Sequence, residues 1–169
     1  GRFALEVAAH TLPYFGEWFG IPYALPKCDQ VALPDFASGA MENWGLITYR
    51  ETALLVDPKN SSAAARQRVA EVIDHELAHQ WFGNLVTMEW WDDLWLNESF
   101  ASWMGDRTVD AAFPEYKLPV DAVGGRQWAF SVDGMRTARA IRTSILPTDN
   151  PEQSFDALAY NKGQEVLGM

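Results

Sequence analysis

The strongest constraint on this chain is a helix that carries its own chemistry. From Ser61 or Ser62, either of which suits an N-cap, the run to Phe82 opens with Ala63 to Ala65 and places Val69, Val72, Ile73 and Leu77 at helical spacing. Gly83 and Asn84 stop it. Inside it, His75, Glu76, Leu77, Ala78 and His79 fit the pattern H-E-x-x-H. Residues four apart on a helix stack one above the other, about 5–6 Å apart at Cβ, so both imidazoles can reach one ion. Glu76 lies roughly 100° further round, which sets it beside such an ion rather than on it. The chain has three histidines, and His10 is the only one outside this pair. Taken alone, the pattern also suits two structural histidines.

A catalytic metal held this way needs a third protein ligand and an open position. Glu98 is the candidate, with eighteen residues between it and His79. A second helix should start near Asp92 and Asp93, whose charges suit a helix N-terminus, and continue through Leu96, Phe100 and Trp103. Chain reversal between Gly83 and Asp93 would then return Glu98 to the histidines. Taken alone, Glu98 could equally be a solvated carboxylate, as most glutamates are, although its neighbours are strongly apolar. The single cysteine, Cys28, cannot form an internal disulfide and leaves any metal site to histidines and carboxylates. Cys28 itself reads as a small buried residue.

Elsewhere the pattern is mixed. Residues 4–19 have helical spacing, with Pro13 expected to kink or shorten the helix and Pro22 and Pro26 to end it. Asp29 to Leu33 and Leu46 to Leu55 read as strands flanking a Gly-containing turn. Glu115 to Ile145 reads as helix interrupted by Gly124 and Gly125, Pro147 and Pro151 mark a loop, and a last helix starts around Asp156 to Tyr160. Strands first and helices afterwards indicate an α+β fold, a small strand region followed by mostly α-helices. The tryptophans and phenylalanines around the two helices read as core, and Arg136, Arg139 and Arg142 as a solvated basic face.

Three blocks resemble the gluzincin aminopeptidases of the aminopeptidase N type. The first is His75-Glu76-Leu77-Ala78-His79-Gln80-Trp81-Phe82-Gly83-Asn84 with Trp90 to Glu98, including the family's eighteen-residue interval. The second, Gly39-Ala40-Met41-Glu42-Asn43 and the residues to Glu51, is similar to the family's exopeptidase motif. The third, Tyr160-Asn161-Lys162-Gly163, is similar to its catalytic tyrosine motif. The resemblance implies a thermolysin-like zinc metallopeptidase catalytic domain that binds one Zn²⁺ through His75, His79 and Glu98. It implies Glu76 as general base and Tyr160 as oxyanion stabiliser. It further implies that Glu42 binds the free α-ammonium of a peptide, within a substrate-binding block of Gly39, Ala40, Met41, Glu42 and Asn43. The related leukotriene hydrolase type has a second glycine where this chain has Ala40. Ser99 and Asp74 depart from the residues commoner in the family, glycine and a small residue; both flank the site, where they bear on metal affinity and pH optimum.

Residues 1–169 are expected to form one partial domain, with an N-terminal β-domain and a C-terminal helical domain of the family outside this chain, because Gly1 is no initiator methionine and no stop signal follows Val166 and Leu167. The implied partners are peptides with a free N-terminus. A net charge of −10 argues against nucleic acid or an anionic membrane as partner. No apolar run reaches the roughly 20 residues of a membrane span. Localisation and oligomeric state stay open: one cysteine fits a cytoplasmic chain and equally a secreted or anchored one.

Overall fold

The computed structural model describes residues 1–169. Its elements are helix α1 (Arg2–Phe19), strands β1 (Asp29–Leu33), β2 (Ala40–Met41) and β3 (Leu46–Arg50), and helices α2 (Glu51–Leu54), α3 (Ala63–His79), α4 (Leu94–Ala112), α5 (Leu118–Asp133) and α6 (Gly163–Leu167). The α+β expectation agrees with this helix-rich chain and its small sheet.

Helix α3 lies at the centre. Ser62 is its N-cap, accepting a hydrogen bond from the Ala65 N–H at 3.1 Å. One side buries Val69, Ile73 and Leu77 against α1 and the sheet, where Phe15, Ile47 and Tyr49 are fully buried. Trp81, just past the helix end, stacks on Phe19 with ring centroids 5.7 Å apart and meets Phe15 edge-on. The other side packs on α4. Here Gly105 matters: a β-carbon on it would lie 2.9 Å from the His75 backbone nitrogen, so only glycine permits this approach.

The sheet has order β1-β3-β2, with β1 and β3 parallel and β2 antiparallel to β3. The register pairs Ala40 with Tyr49 and Met41 with Thr48, which makes β2 an open edge.

Several expectations need correction. Helix α1 is not shortened by Pro13 but runs through it to Phe19, where the expected helix also ends, and closes on Gly20 in the left-handed conformation. The third strand stops at Arg50, and residues 51–54 form a helical turn instead of continuing the strand to Leu55. Helix α3 ends at His79, three residues before Phe82. Gly124 and Gly125 do not interrupt α5, but the helix covers only 118–133 of the predicted 115–145. Trp90 and Trp91 are exposed rather than core. Arg139 is not a solvated face: its guanidinium holds both Asp156 oxygens and the carbonyls of Ala140, Ile141 and Ser154. Cys28 is half-buried.

Candidate metal centre

The last two turns of α3 bring His75 and His79 together, with their Nε2 atoms 3.0 Å apart. Glu98 enters from the second turn of α4, its Oε2 3.3 Å from His75 Nε2 and 3.6 Å from His79 Nε2. One ligating atom from each of the three lies within 4.8 Å of the others.

Each ligand candidate is anchored from behind. The His79 Nδ1 lies 3.2 Å from the Phe82 carbonyl, which can only accept, so Nδ1 carries a proton and Nε2 is the ring nitrogen turned to the cluster. The His75 Nδ1 lies 3.2 Å from Ser102 Oγ, one helical turn beyond Glu98. The Asn97 amide donates to Glu98 Oε1 at 3.1 Å and leaves Oε2 to the imidazoles. Gly83, at φ 134°, lets the chain turn beneath this cluster; a β-carbon there would lie 2.5 Å from Asn97 Oδ1.

The charges are unbalanced in a way that suits a cation. Burial pushes Glu76 up to about 8, and its Oε2 has no hydrogen-bond partner. Burial opposes ionisation of Glu98 as well, yet hydrogen bonds from His75 and His79 hold it well below the usual carboxylate range. Burial lowers His75. For His79 burial acts in the same direction, but the Glu98, Glu42 and Glu76 carboxylates overcome it and raise the ring to about 9. Glu42, Glu76 and Glu98 thus surround two imidazoles, and the protons that Glu76 and His79 hold stand where the charge of a divalent ion would act. Two imidazoles and one carboxylate are the donor set of a catalytic zinc.

Glu42 sits at the end of the β2 edge, its Oε1 4.0 Å from His79 Nδ1. Its carbonyl accepts from the Gln80 and Asn84 side-chain amides at 2.9 and 2.7 Å, and Gln80 Oε1 also accepts from the Gly45 N–H at 3.3 Å. These bonds clamp the turn after β2 onto the end of α3. Gly39, Ala40, Met41 and Glu42 line the same cavity as the three ligand candidates, a cleft of about 1390 Å³. Asn43 does not: it faces away and donates to Thr48 Oγ1 at 3.1 Å. Tyr160 completes the cavity, its ring stacked over His75 at 6.0 Å, and burial together with the Glu98 carboxylate holds its phenol far above the usual range.

Asp74 is next to His75 in sequence but not in the site. It is fully buried towards α1, accepts from the Thr11 hydroxyl at 2.6 Å, and burial raises its pKa well above the usual range. Sequence reasoning missed Asn97, Ser102, Gln80 and Asn84. Ser102 was within reach, since it stands four residues after Glu98 on the same helical face.

A helix-borne pair of histidines with a glutamate from the next helix, joined by an H-E-x-x-H core, is the arrangement that defines the gluzincins. The peptidase family M1 domain matches residues 3–169, and the chain belongs to that family. It is 53% identical over its full length to aminopeptidase M1-A of Oryza sativa subsp. japonica, covering 19% of that protein. It is 51% identical to the alanine/arginine aminopeptidase of Saccharomyces cerevisiae, covering all of this chain and 20% of the relative. Against the leucyl aminopeptidase of Saccharolobus solfataricus it is 46% identical, again over the whole chain and 22% of the relative. The chain therefore spans about a fifth of the length of these relatives. No helix in it is long and apolar enough to cross a membrane.

Proposed function

We propose that this chain is the core of the thermolysin-like catalytic domain of a zinc aminopeptidase, with the flanking domains supplied by a longer protein. The observation that carries the reading is the convergence of His75, His79 and Glu98 in a cavity that Glu42 also lines. His75 Nε2, His79 Nε2 and a Glu98 oxygen would hold the ion. When bound, zinc supplies Lewis acidity, which lowers the pKa of water towards neutrality and polarises a carbonyl oxygen.

The chain's own groups do the rest. Beside the positive charge of a bound ion Glu76 would be lowered into its carboxylate form, and its Oε2, buried and without a partner, then takes a proton from the attacking water and passes it to the departing amine nitrogen. The Tyr160 hydroxyl, kept protonated by burial and Glu98, donates to the substrate carbonyl oxygen as charge builds there. The β2 edge offers main-chain groups to an extended peptide, and the Glu42 carboxylate receives its terminal ammonium. A carboxylate held beside the ligand cluster, with its Oε1 4.0 Å from His79 Nδ1, would admit a free N-terminus and reject an interior peptide unit. The substrates are accordingly peptides with a free N-terminus.

The test is hydrolysis of an aminoacyl chromogenic substrate by the full-length protein, with Glu76→Ala as control. Losing a general base costs about 10²–10⁴-fold in rate, so the variant should retain zinc and lose kcat by that factor. Equal rates for the two proteins would remove Glu76 from the chemistry.

A further inference from the structure

Tyr160 stands on a single π-helical turn, Leu158–Lys162, that runs directly into α6. Such turns are rare, and they persist only where something compensates their misplaced backbone groups. Here the Gly163 N–H reaches Leu158 O, five residues back, and Tyr160 O, three back, and passes over Ala159 O, which an α-helix would give it. Ala159 is fully buried. Its carbonyl accepts the hydroxyl of Ser99, itself fully buried on α4 beside Glu98.

The fit is tight on the other side as well. A β-carbon on Gly163 would overlap Ser99 Oγ and lie 3.1 Å from Trp95 Cε3. The absence of a side chain at Gly163 is thus what gives the Ser99 hydroxyl its place. A buried carbonyl that loses a donor is costly, and in the π register the Ser99 hydroxyl supplies the donor that the Gly163 N–H withholds from Ala159 O. In the α register Gly163 would serve Ala159 O, and Tyr160 would turn by about 100° relative to the residues that follow it.

We infer that Ser99 is a positioning residue: by capping Ala159 O it holds the π turn and so aims the Tyr160 phenol at the metal centre. Because Ser99 adjoins Glu98, one residue of α4 fixes the tyrosine turn relative to the carboxylate ligand candidate. The functional half of this inference rests on the proposed role of Tyr160 as oxyanion donor; the structural half does not.

The experiment uses the full-length, zinc-loaded protein as Ser99→Ala, Tyr160→Phe and the double variant, with kcat, KM and zinc content measured for each, and a crystal structure of Ser99→Ala. Losing an oxyanion donor costs about 10²–10³-fold, so that is the fall in kcat expected for Tyr160→Phe. For Ser99→Ala a fall in kcat of about tenfold is expected, with KM changed by less than about twofold. Zinc content should be unchanged, and Ser99→Ala should have less than about a twofold effect in the Tyr160→Phe background. Its crystal structure should show the Gly163 N–H transferred to Ala159 O. Ser99→Gly, which also lacks the hydroxyl, should behave alike and serves if Ser99→Ala does not fold. An equal loss in both backgrounds, or an unchanged π turn in the variant structure, overturns the inference. If Tyr160→Phe turns over like the wild type, the proposed role of Tyr160 falls, and the crystal structure still decides whether Ser99 holds the turn.

Discussion

Gly105 and His75 touch through their backbones: a β-carbon on Gly105 would sit 2.9 Å from His75 N and 3.3 Å from its Cα. This contact sets how closely α4 lies on α3, and therefore where Glu98 and Ser102 meet the His75 ring. Gly105→Ala must push the two helices apart, because the atoms it meets are backbone and cannot swing away. Overpacking of this kind costs about 1–3 kcal/mol. The variant should therefore unfold at a lower temperature and bind zinc more weakly than the wild type, measured by thermal unfolding and chelator competition. Unchanged zinc affinity would separate the helix contact from the geometry of the centre.

Metal removal should act on stability as well as on rate. With Glu42, Glu76 and Glu98 facing two imidazoles, the ion-free cluster relies on protons held by Glu76 and His79 for charge balance. An ion bound by the folded but not the unfolded chain stabilises by mass action, about 4 kcal/mol at a thousandfold excess over its dissociation constant. Stripping zinc from the full-length protein with a chelator should lower its unfolding temperature. Glu98→Ala should start lower and respond far less to the chelator.

The centre was more legible in the sequence than the fold. His75 and His79 were readable because helical periodicity converts a spacing of four into proximity, and Glu98 because an apolar helix had to bring it back. Glu42 and Tyr160 could not be placed this way. Their approach depends on the pairing of β2 with β3 and on a π turn, neither of which has a local periodic signature. The continuation of α1 through Pro13 was hidden for a related reason: packing of Phe15 and Phe19 against Trp81 outweighs the proline penalty. The strand expected to reach Leu55 failed because Glu51 to Leu54 have no propensity strong enough to separate strand from helical turn.

Asp106, two turns beyond Glu98 on α4, should make stability depend on pH. Burial raises it to about 6, with Glu71 adding to the rise and a hydrogen bond from Gln164 opposing it. The group is neutral in both states well below pH 4. As pH rises from there towards 6, the unfolded chain ionises first, so folding loses stability, and above 6 the penalty is complete at no more than about 3 kcal/mol. Asp106→Asn keeps an acceptor for Gln164 and removes the charge. It should unfold at a higher temperature than the wild type at pH 8, and at nearly the same temperature at about pH 3.

Glu42 offers the sharpest test of exopeptidase logic. Its carbonyl is fixed by Gln80 and Asn84, so replacing the carboxylate leaves the turn clamped in place. A charge-assisted hydrogen bond to a terminal ammonium is worth about 1.5–3 kcal/mol, which corresponds to roughly 10–150-fold in kcat/KM. Glu42→Gln should lose about that factor on a peptide with a free N-terminus. The same peptide acetylated at its N-terminus should resist the wild type almost completely, because the blocked amide has no charge for Glu42 and the acetyl group fills the space beside it. Cleavage of both peptides at equal rates would show that the carboxylate measures nothing, and the cavity would then be read as that of an endopeptidase.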